Sequence, residues 1–168
     1  MKLTEGYKKR LVELAGINES FDRKSYLAWK RKNVTLRGMT DGVGENGGMA
    51  RWGSGLYMAA LSNRAMAKEY GDVYFVVGAR PKNPIKFNNT NLAEIWISKN
   101  LTRNGYSDAR DFFADGKTIA GEMLKLGYDG LEIIGREIVN YTPDEDKIRY
   151  YSNEAQLMDY FERISNDI

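Results

Sequence analysis

Two stretches of the chain decide its fold. Residues 34–57 read VTLRGMTDGVGENGGMARWGSGLY, and residues 127–141 read GYDGLEIIGREIVNY. The first begins and ends with short apolar runs of strand type on either side of a glycine-dense segment, and the second reads as two short strands around Gly135. Strands from distant parts of the chain are therefore predicted to build one site.

Three side chains on these predicted strands are candidates for that site. Alternation along the first strand places Arg37 on the face opposite Leu36. The second apolar run contributes Tyr57, and the late strand contributes Glu137. We expect Arg37, Tyr57 and Glu137 to converge on one pocket.

Composition limits the chemistry of the chain. At 168 residues it fits a single domain that buries roughly 70% of its unfolded surface. It contains no cysteine and no histidine, which excludes disulfides, a thiolate nucleophile, a Ser-His-Asp triad and a histidine-ligated metal. We therefore expect no metal, and the groups left for chemistry are carboxylates, arginine, lysine, tyrosine, hydroxyls and backbone amides.

Charge and hydropathy suggest a soluble protein. The formal net charge is +2, with a sequence pI of about 8.6, which is too small a charge to argue for nucleic acid by itself. No apolar run approaches the roughly 18 residues of a membrane span, and the first residues do not resemble a signal peptide. We expect a cytoplasmic protein, in a bacterium or a host cell, without membrane contact.

The remaining periodicities predict an α+β fold, because helices and strands interleave without βαβ regularity. The basic segment at residues 23–32 is interleaved with aromatic residues, a pattern that would support a nucleic-acid acceptor, but we interpret it as a solvated helix face whose aromatics pack inward. Helices are predicted at residues 3–16, 21–32, 59–70, 91–101, 107–126 and 154–164. Strands are predicted at 34–38, 56–57, 73–77, 85–87, 131–134, 138–141 and 148–151.

The glycine-dense segment at residues 40–55 is predicted to be a mobile loop that forms a lid over the site. It matches neither the dinucleotide fingerprint nor the Gly-Lys-Ser/Thr ending of a phosphate-binding loop. An arginine, a tyrosine and a carboxylate can together hold a phosphate, stack on a flat ring and stabilise positive charge at a sugar carbon. These are the requirements for breaking the nicotinamide–ribose bond of NAD.

The motifs resemble those of the ADP-ribosyltransferases. Residues 36–38 (LRG) are similar to the first motif of that family, residues 53–59 (GSGLYMA) to the second and residues 135–141 (GREIVNY) to the third. The turn at residues 127–130 (GYDG) also occurs in many members just before the catalytic glutamate. The resemblance covers residues 34–151.

The resemblance implies a role for each matched residue. Gly38 would bind the nicotinamide carboxamide through its backbone, Tyr57 would stack on the ring, and Tyr70 would cover its other side. Glu137, Arg37 and Tyr57 would be the catalytic residues, with Glu137 holding the ribose 2′-hydroxyl and Arg37 also binding NAD. Arg37 stands at a position that is histidine in the poly(ADP-ribose) polymerase branch and arginine in the cholera-toxin-like branch.

The second motif adds Ser54 and Gly55 to the expected NAD-binding set, with Ser54 ranked below Tyr57. Gly135 stands where arginine-modifying toxins carry Glu or Gln, which argues against arginine as acceptor. Glu132 is a candidate base for the acceptor, but we interpret it as an exposed strand carboxylate.

The implied fold is a split β-sheet that forms an NAD cleft, within one ADP-ribosyltransferase-like domain spanning residues 1–168. Residues 1–33 would be a helical N-terminal cap, residues 34–151 the catalytic core and residues 152–168 a C-terminal helix.

The implied function is mono-ADP-ribosyl transfer from NAD to a macromolecular acceptor, with protein as the default, in a bacterial or phage effector or toxin. Three alternatives stay open. They are transfer to nucleic acid, hydrolysis of NAD by water, and a non-catalytic module of the same fold that binds a nucleotide or a partner.

Overall fold

The computed structural model describes residues 22–40, 51–101 and 116–167. These residues form mixed α and β structure, as predicted. The elements, in chain order, are α1 (Arg23–Asn33), β1 (Val34–Met39), β2 (Leu56–Ala59), α2 (Arg64–Lys68), β3 (Asp72–Val77), β4 (Pro84–Phe87), α3 (Thr90–Asn100), α4 (Gly116–Lys125), β5 (Gly130–Ile133), β6 (Glu137–Asn140), a 3₁₀ turn (Glu145–Lys147), β7 (Arg149–Tyr151) and α5 (Glu154–Asn166).

The described strands form one open sheet in the order β4-β5-β6-β2-β1-β3-β7, with β4 and β5 parallel and the other neighbours antiparallel. The split β-sheet that the resemblance implies is not confirmed, because the described strands form a single sheet. The pairing between the two central strands, β2 and β1, is short, however. β1 and β2 share the single register pair Leu36–Ala59, whereas β1 pairs with β3 along its whole length. Beyond that pair, Gly38 and Tyr57 stand at corresponding positions without pairing.

Both faces of the sheet are covered. One face carries two clusters: Leu36, Ala59 and Phe75 pack against α1, α2 and α5, and Leu131, Ile133 and Val139 pack against α3 and α4. A smaller cluster that includes Leu56, Met58, Val76 and Ile138 lies on the opposite face. Successive residues of each strand alternate between the two faces.

Several sequence predictions are confirmed within the described residues. α1 follows the predicted helix, and Tyr26 is buried while Arg23, Lys24, Arg31 and Lys32 are exposed, as expected for a solvated basic face. Asn89 caps α3 through its side chain, and Gly71 follows α2 with φ 123°. For the helix predicted at residues 59–70, the predicted first residue is wrong. Ala59 belongs to β2, and Asn63 caps a helix that begins at Arg64.

Some predictions fall on parts of the chain that the structure does not describe. The helix at residues 3–16, the first part of the helix at residues 107–126 and most of the predicted lid lie outside the described residues. Among the helices that are described, none combines the length and the apolar character needed to cross a membrane.

Candidate functional site

Glu137 is the first residue of β6 and a mostly buried carboxylate, with 9% of its surface exposed. The indole Nε1 of Trp52 donates a hydrogen bond of 2.9 Å to its Oε1. The Nε of Arg136 lies 3.7 Å from the same oxygen, with the arginine side chain largely in solvent. Oε2 receives no hydrogen bond from any described residue. One carboxylate oxygen is therefore fixed, and the other can accept a bond from a ligand as far as the described residues are concerned.

Trp52 connects Glu137 to two tyrosines. Its backbone N–H donates to the Tyr57 hydroxyl at 3.0 Å, and its backbone carbonyl accepts from the Tyr141 hydroxyl at 2.5 Å. The Tyr57 hydroxyl in turn donates to the carbonyl of Gly53 at 2.8 Å. These bonds hold the segment before β2 against the end of β6, so the fully buried indole is fixed from both sides.

Tyr57 and Glu137 lie on the same face of the sheet. Ala59 pairs with Glu137 and Tyr57 pairs with Val139, and residues two apart on a strand share a face. Burial chiefly raises the pKa of Tyr57, and the negative charge of Glu137 adds to the rise. Tyr57 is therefore a neutral phenol at physiological pH and cannot act as a base there. The structure brings these two predicted site residues together.

Gly38 lies on this face as well, at the point where β1 and β2 part. A Cβ at this position would stand 1.8 Å from the carbonyl oxygen of Ala67 and 3.0 Å from the Cβ of Tyr70. Glycine is therefore required here for α2 to approach β1. The Tyr70 side chain is 65% exposed beside Gly38, so an open aromatic ring is available at this edge.

Arg37 is placed differently from the other candidates. It is buried in β1 between Leu36 and Gly38, and its cross-strand partner on β3 is Tyr74. Because Leu36 shares a face with Ala59, alternation puts Arg37 on the opposite face from Glu137. The structure thus brings Tyr57 and Glu137 together on one face and assigns Arg37 to the other.

The other residues of the second motif have structural explanations. Ser54 is exposed in the turn before β2. A Cβ at Gly55 would lie 2.5 Å from the Asn140 carbonyl oxygen, so β2 reaches β6 closely only with glycine there. Gly53 adopts φ 109°, a conformation that side chains disfavour.

The GYDG turn is also structural. The Asp129 carboxylate accepts backbone N–H bonds from Lys82 and Asn83, each at 2.8 Å, and the Asn83 side chain donates to the Gly127 carbonyl. A Cβ at Gly130 would lie 2.4 Å from the Val139 carbonyl oxygen. This turn joins the loop between β3 and β4 to the start of β5, and so positions the hairpin that carries Glu137.

Glu132 does not belong to the site. It pairs with Ile138 and therefore lies on the face opposite Glu137. Its side chain is 15% exposed and forms ion pairs with Lys86 at 3.5 Å and Arg80 at 3.9 Å. The interpretation of Glu132 as an exposed carboxylate is therefore wrong, because two cations on neighbouring elements hold it.

Sequence reasoning missed Trp52 and gave no role to Tyr141. Both are buried: Trp52 lies in the segment before β2, and the Tyr141 hydroxyl donates to its carbonyl. The available signal was the large aromatic residue within a glycine-dense segment, since a tryptophan there is costly to leave in solvent. Within the described part of the chain, no group of three or more acidic side chains is placed to hold a metal ion. The site offers a positioned carboxylate, a neutral phenol and aromatic surface.

The chain matches no protein-family model, no curated protein and no solved structure. The resemblance to the ADP-ribosyltransferases therefore rests on the three short motifs.

Proposed function

We propose that this chain is a mono-ADP-ribosyltransferase that moves ADP-ribose from NAD to a macromolecular acceptor, with protein as the default. The observation that carries the proposal is the Glu137 carboxylate, which Trp52 holds through Oε1 while Oε2 has no donor among the described residues. Tyr57 lies beside it on the adjacent strand. A fixed, mostly buried anion suits a reaction that develops positive charge on a ribose carbon.

In the proposed reaction the bond between the nicotinamide nitrogen and the ribose anomeric carbon breaks, and its electron pair leaves with nicotinamide, which becomes neutral. Glu137 Oε2 accepts a hydrogen bond from the ribose 2′-hydroxyl and stabilises the oxocarbenium-like carbon. A nucleophilic atom of the acceptor then bonds to that carbon and releases its proton to solvent. Glu137 acts throughout as a charge and hydrogen-bond acceptor.

The nicotinamide ring would lie between Tyr57 and Tyr70, in the gap where β1 and β2 part. Two observations support this placement. The Tyr70 ring is exposed beside Gly38, and Gly38 and Tyr57 lie opposite each other on β1 and β2 without forming a strand pair. Arg37 would reach the pyrophosphate of the same ligand only through this gap, because strand alternation assigns it to the other face.

The test is incubation of the purified protein with NAD labelled in the adenylate and with a cell lysate, following nicotinamide release and the destination of the label. Glu137→Gln should lower turnover by at least about 10²-fold while NAD still binds. Glu132→Gln is the matched control, because it removes the same charge from the adjacent strand on the other face and should keep turnover within about threefold.

The destination of the label separates the alternatives. Label in a protease-sensitive band supports transfer to protein, and label in a nuclease-sensitive band would move the acceptor to nucleic acid. Nicotinamide release with all label as free ADP-ribose would identify an NAD glycohydrolase. NAD binding without nicotinamide release in the wild-type protein would contradict the proposal and favour a binding module.

A further inference from the structure

A second candidate site lies on the same face of the sheet, between α1, α2 and α5. It is a depression of about 410 Å³, within the range of roughly 300–1,000 Å³ that small-molecule sites occupy. Its apolar wall consists of Leu27, Leu36, Leu61 and Phe75. Leu36 and Phe75 are nearly covered, whereas Leu27 is exposed and Leu61 is partly exposed. A flat apolar group such as a nucleobase would therefore lie chiefly against Leu27 and Leu61.

Three cations and one carboxylate line the same depression. Lys30 and Glu154 neutralise each other, because the Lys30 ammonium lies 2.7 and 2.8 Å from the two carboxylate oxygens. The other two cations, Arg31 and Arg64, lie within ion-pair distance of no described carboxylate. The Lys30 ammonium lies 4.7 Å and the Arg64 guanidinium 5.9 Å from the Phe75 ring centroid, so two cations lie near this ring. The charge of Arg64 also helps to lower the pKa of the Glu154 carboxyl, so the three cations and one carboxylate together leave a net charge of +2 in the depression.

The surface next to the depression adds positive charge. Lys24 and Arg31 lie three and four residues from Leu27 on α1, so all three share one face of the helix. α1 contains no acidic residue, and Lys24 and Arg31 are exposed. An anion approaching Leu27 thus meets cations on both sides.

We propose that this depression binds a nucleoside phosphate, with the base against Leu27 and Leu61 and the phosphate between Arg31 and Arg64. Guanidinium groups are suited to phosphate because they donate paired hydrogen bonds to its oxygens. The nucleotide can come from a free mononucleotide or from a single-stranded nucleic acid. Leu36, Ala59 and Glu137 form one row across three adjacent strands, so the backbone of Leu36, which lines the site, lies two strand spacings, roughly 10 Å, from the backbone of Glu137.

The test needs neither NAD nor turnover, so its result is independent of the proposed transfer reaction. Calorimetry compares AMP, adenosine and inorganic phosphate, and fluorescence anisotropy compares single-stranded adenylate and uridylate hexamers. AMP should bind more tightly than adenosine and phosphate, because it uses both the apolar wall and the cations. The double variant Arg31→Gln/Arg64→Gln should weaken binding by at least about tenfold. For a hexamer, the slope of the logarithm of the binding constant against the logarithm of the salt concentration should also become smaller by about 1.4, which corresponds to two lost phosphate contacts.

Lys32→Gln is the matched control, because it removes one charge from the same helix at a residue outside the depression. It should weaken binding less than about threefold. Binding of AMP alone would assign the site to free nucleotides, and binding of hexamers alone to single strands. The proposal is overturned if no nucleotide binds, if phosphate binds as tightly as AMP, or if Lys32→Gln weakens binding as much as the double variant.

Discussion

Trp52 donates its indole N–H to Glu137 over 2.9 Å, joining the segment before β2 to the first residue of β6. The two residues are 85 positions apart in sequence. Because the indole is fully buried and both backbone groups of Trp52 are bonded to tyrosine hydroxyls, the donor has little freedom to move. Under the proposed function, Trp52 is a positioning residue that keeps Glu137 Oε2 directed at the ligand.

Trp52→Phe removes this donor and keeps most of the ring. We expect kcat for nicotinamide release to fall about ten- to a hundredfold, since small misplacements of a catalytic group have effects of this size. KM for NAD should change little, because Trp52 is fully buried and exposes no surface to a ligand. Steady-state kinetics measures both parameters, and an equal change in KM and kcat would contradict a positioning role.

A structural readout separates this effect from general damage. The three tryptophans give three indole signals in a ¹⁵N–¹H spectrum, and Trp52→Phe identifies the one that belongs to Trp52. Glu137→Gln should move that signal upfield, because a neutral amide oxygen is a weaker acceptor than a carboxylate. The other two indole signals should stay in place.

Tyr57→Phe tests the other bond to this segment. It leaves the Trp52 N–H and the Gly53 carbonyl without the hydroxyl that now pairs with both. We expect the free energy of unfolding to fall by about 1–3 kcal/mol, measured with urea. Tyr70→Phe is the control, because the exposed Tyr70 hydroxyl has no described partner, and its effect should stay within about 0.5 kcal/mol. Equal effects of the two substitutions would contradict the assignment.

The sequence predicted the strands better than their assembly. The alternation of residue types along the chain identified β1, and the run of β-branched and aromatic residues at 73–77 identified most of β3. Both signals can be read from the sequence because they depend only on neighbouring residues. The joining of all the strands into one sheet was not predictable, since it depends on a single distant pair, Leu36 and Ala59. Local propensity failed at Ala59, where pairing with β6 outweighs the helical tendency of the alanine-rich run.

The candidate site was predictable only in part. The three short motifs identified Tyr57 and Glu137 as candidates, and the pairing of β2 with β6 places both residues on one face of the sheet. The role of Trp52 could not be read from periodicity, because its bond to Glu137 joins two segments that share no local pattern. Glu132 was misjudged because its partners Arg80 and Lys86 come from other elements.

Gly38→Ala tests the contact between β1 and α2. A Cβ at this position would be 1.8 Å from the Ala67 carbonyl oxygen, which is backbone and cannot rotate away. We expect a loss of at least about 2 kcal/mol in the free energy of unfolding. Gly121→Ala in α4 is the control, because a Cβ there meets no described atom within 4 Å. That substitution should stabilise by roughly 0.5–1 kcal/mol. Similar effects at the two positions would argue against close packing at Gly38.

The pair of Lys30 and Glu154 predicts a specific dependence of stability on pH. Burial alone would raise the pKa of Glu154, but hydrogen bonds from Lys30 and Tyr26 outweigh it and hold the pKa below its ordinary value of 4.5. A carboxyl group whose pKa is lower in the folded state stabilises the fold above its unfolded pKa. This contribution is therefore complete above about pH 4.5 and is lost as the pH falls through the lower folded value.

Urea unfolding of the wild type and Glu154→Gln between pH 7 and pH 3 measures this contribution. The difference in unfolding free energy between the two proteins should be largest at neutral pH and should shrink below about pH 4.5, where the wild-type carboxylate takes up a proton. In the Lys30→Met background the difference should be smaller at every pH, because the main partner of Glu154 is gone. A difference that stays constant down to pH 3 would mean that the ion pair does not stabilise this side of the sheet.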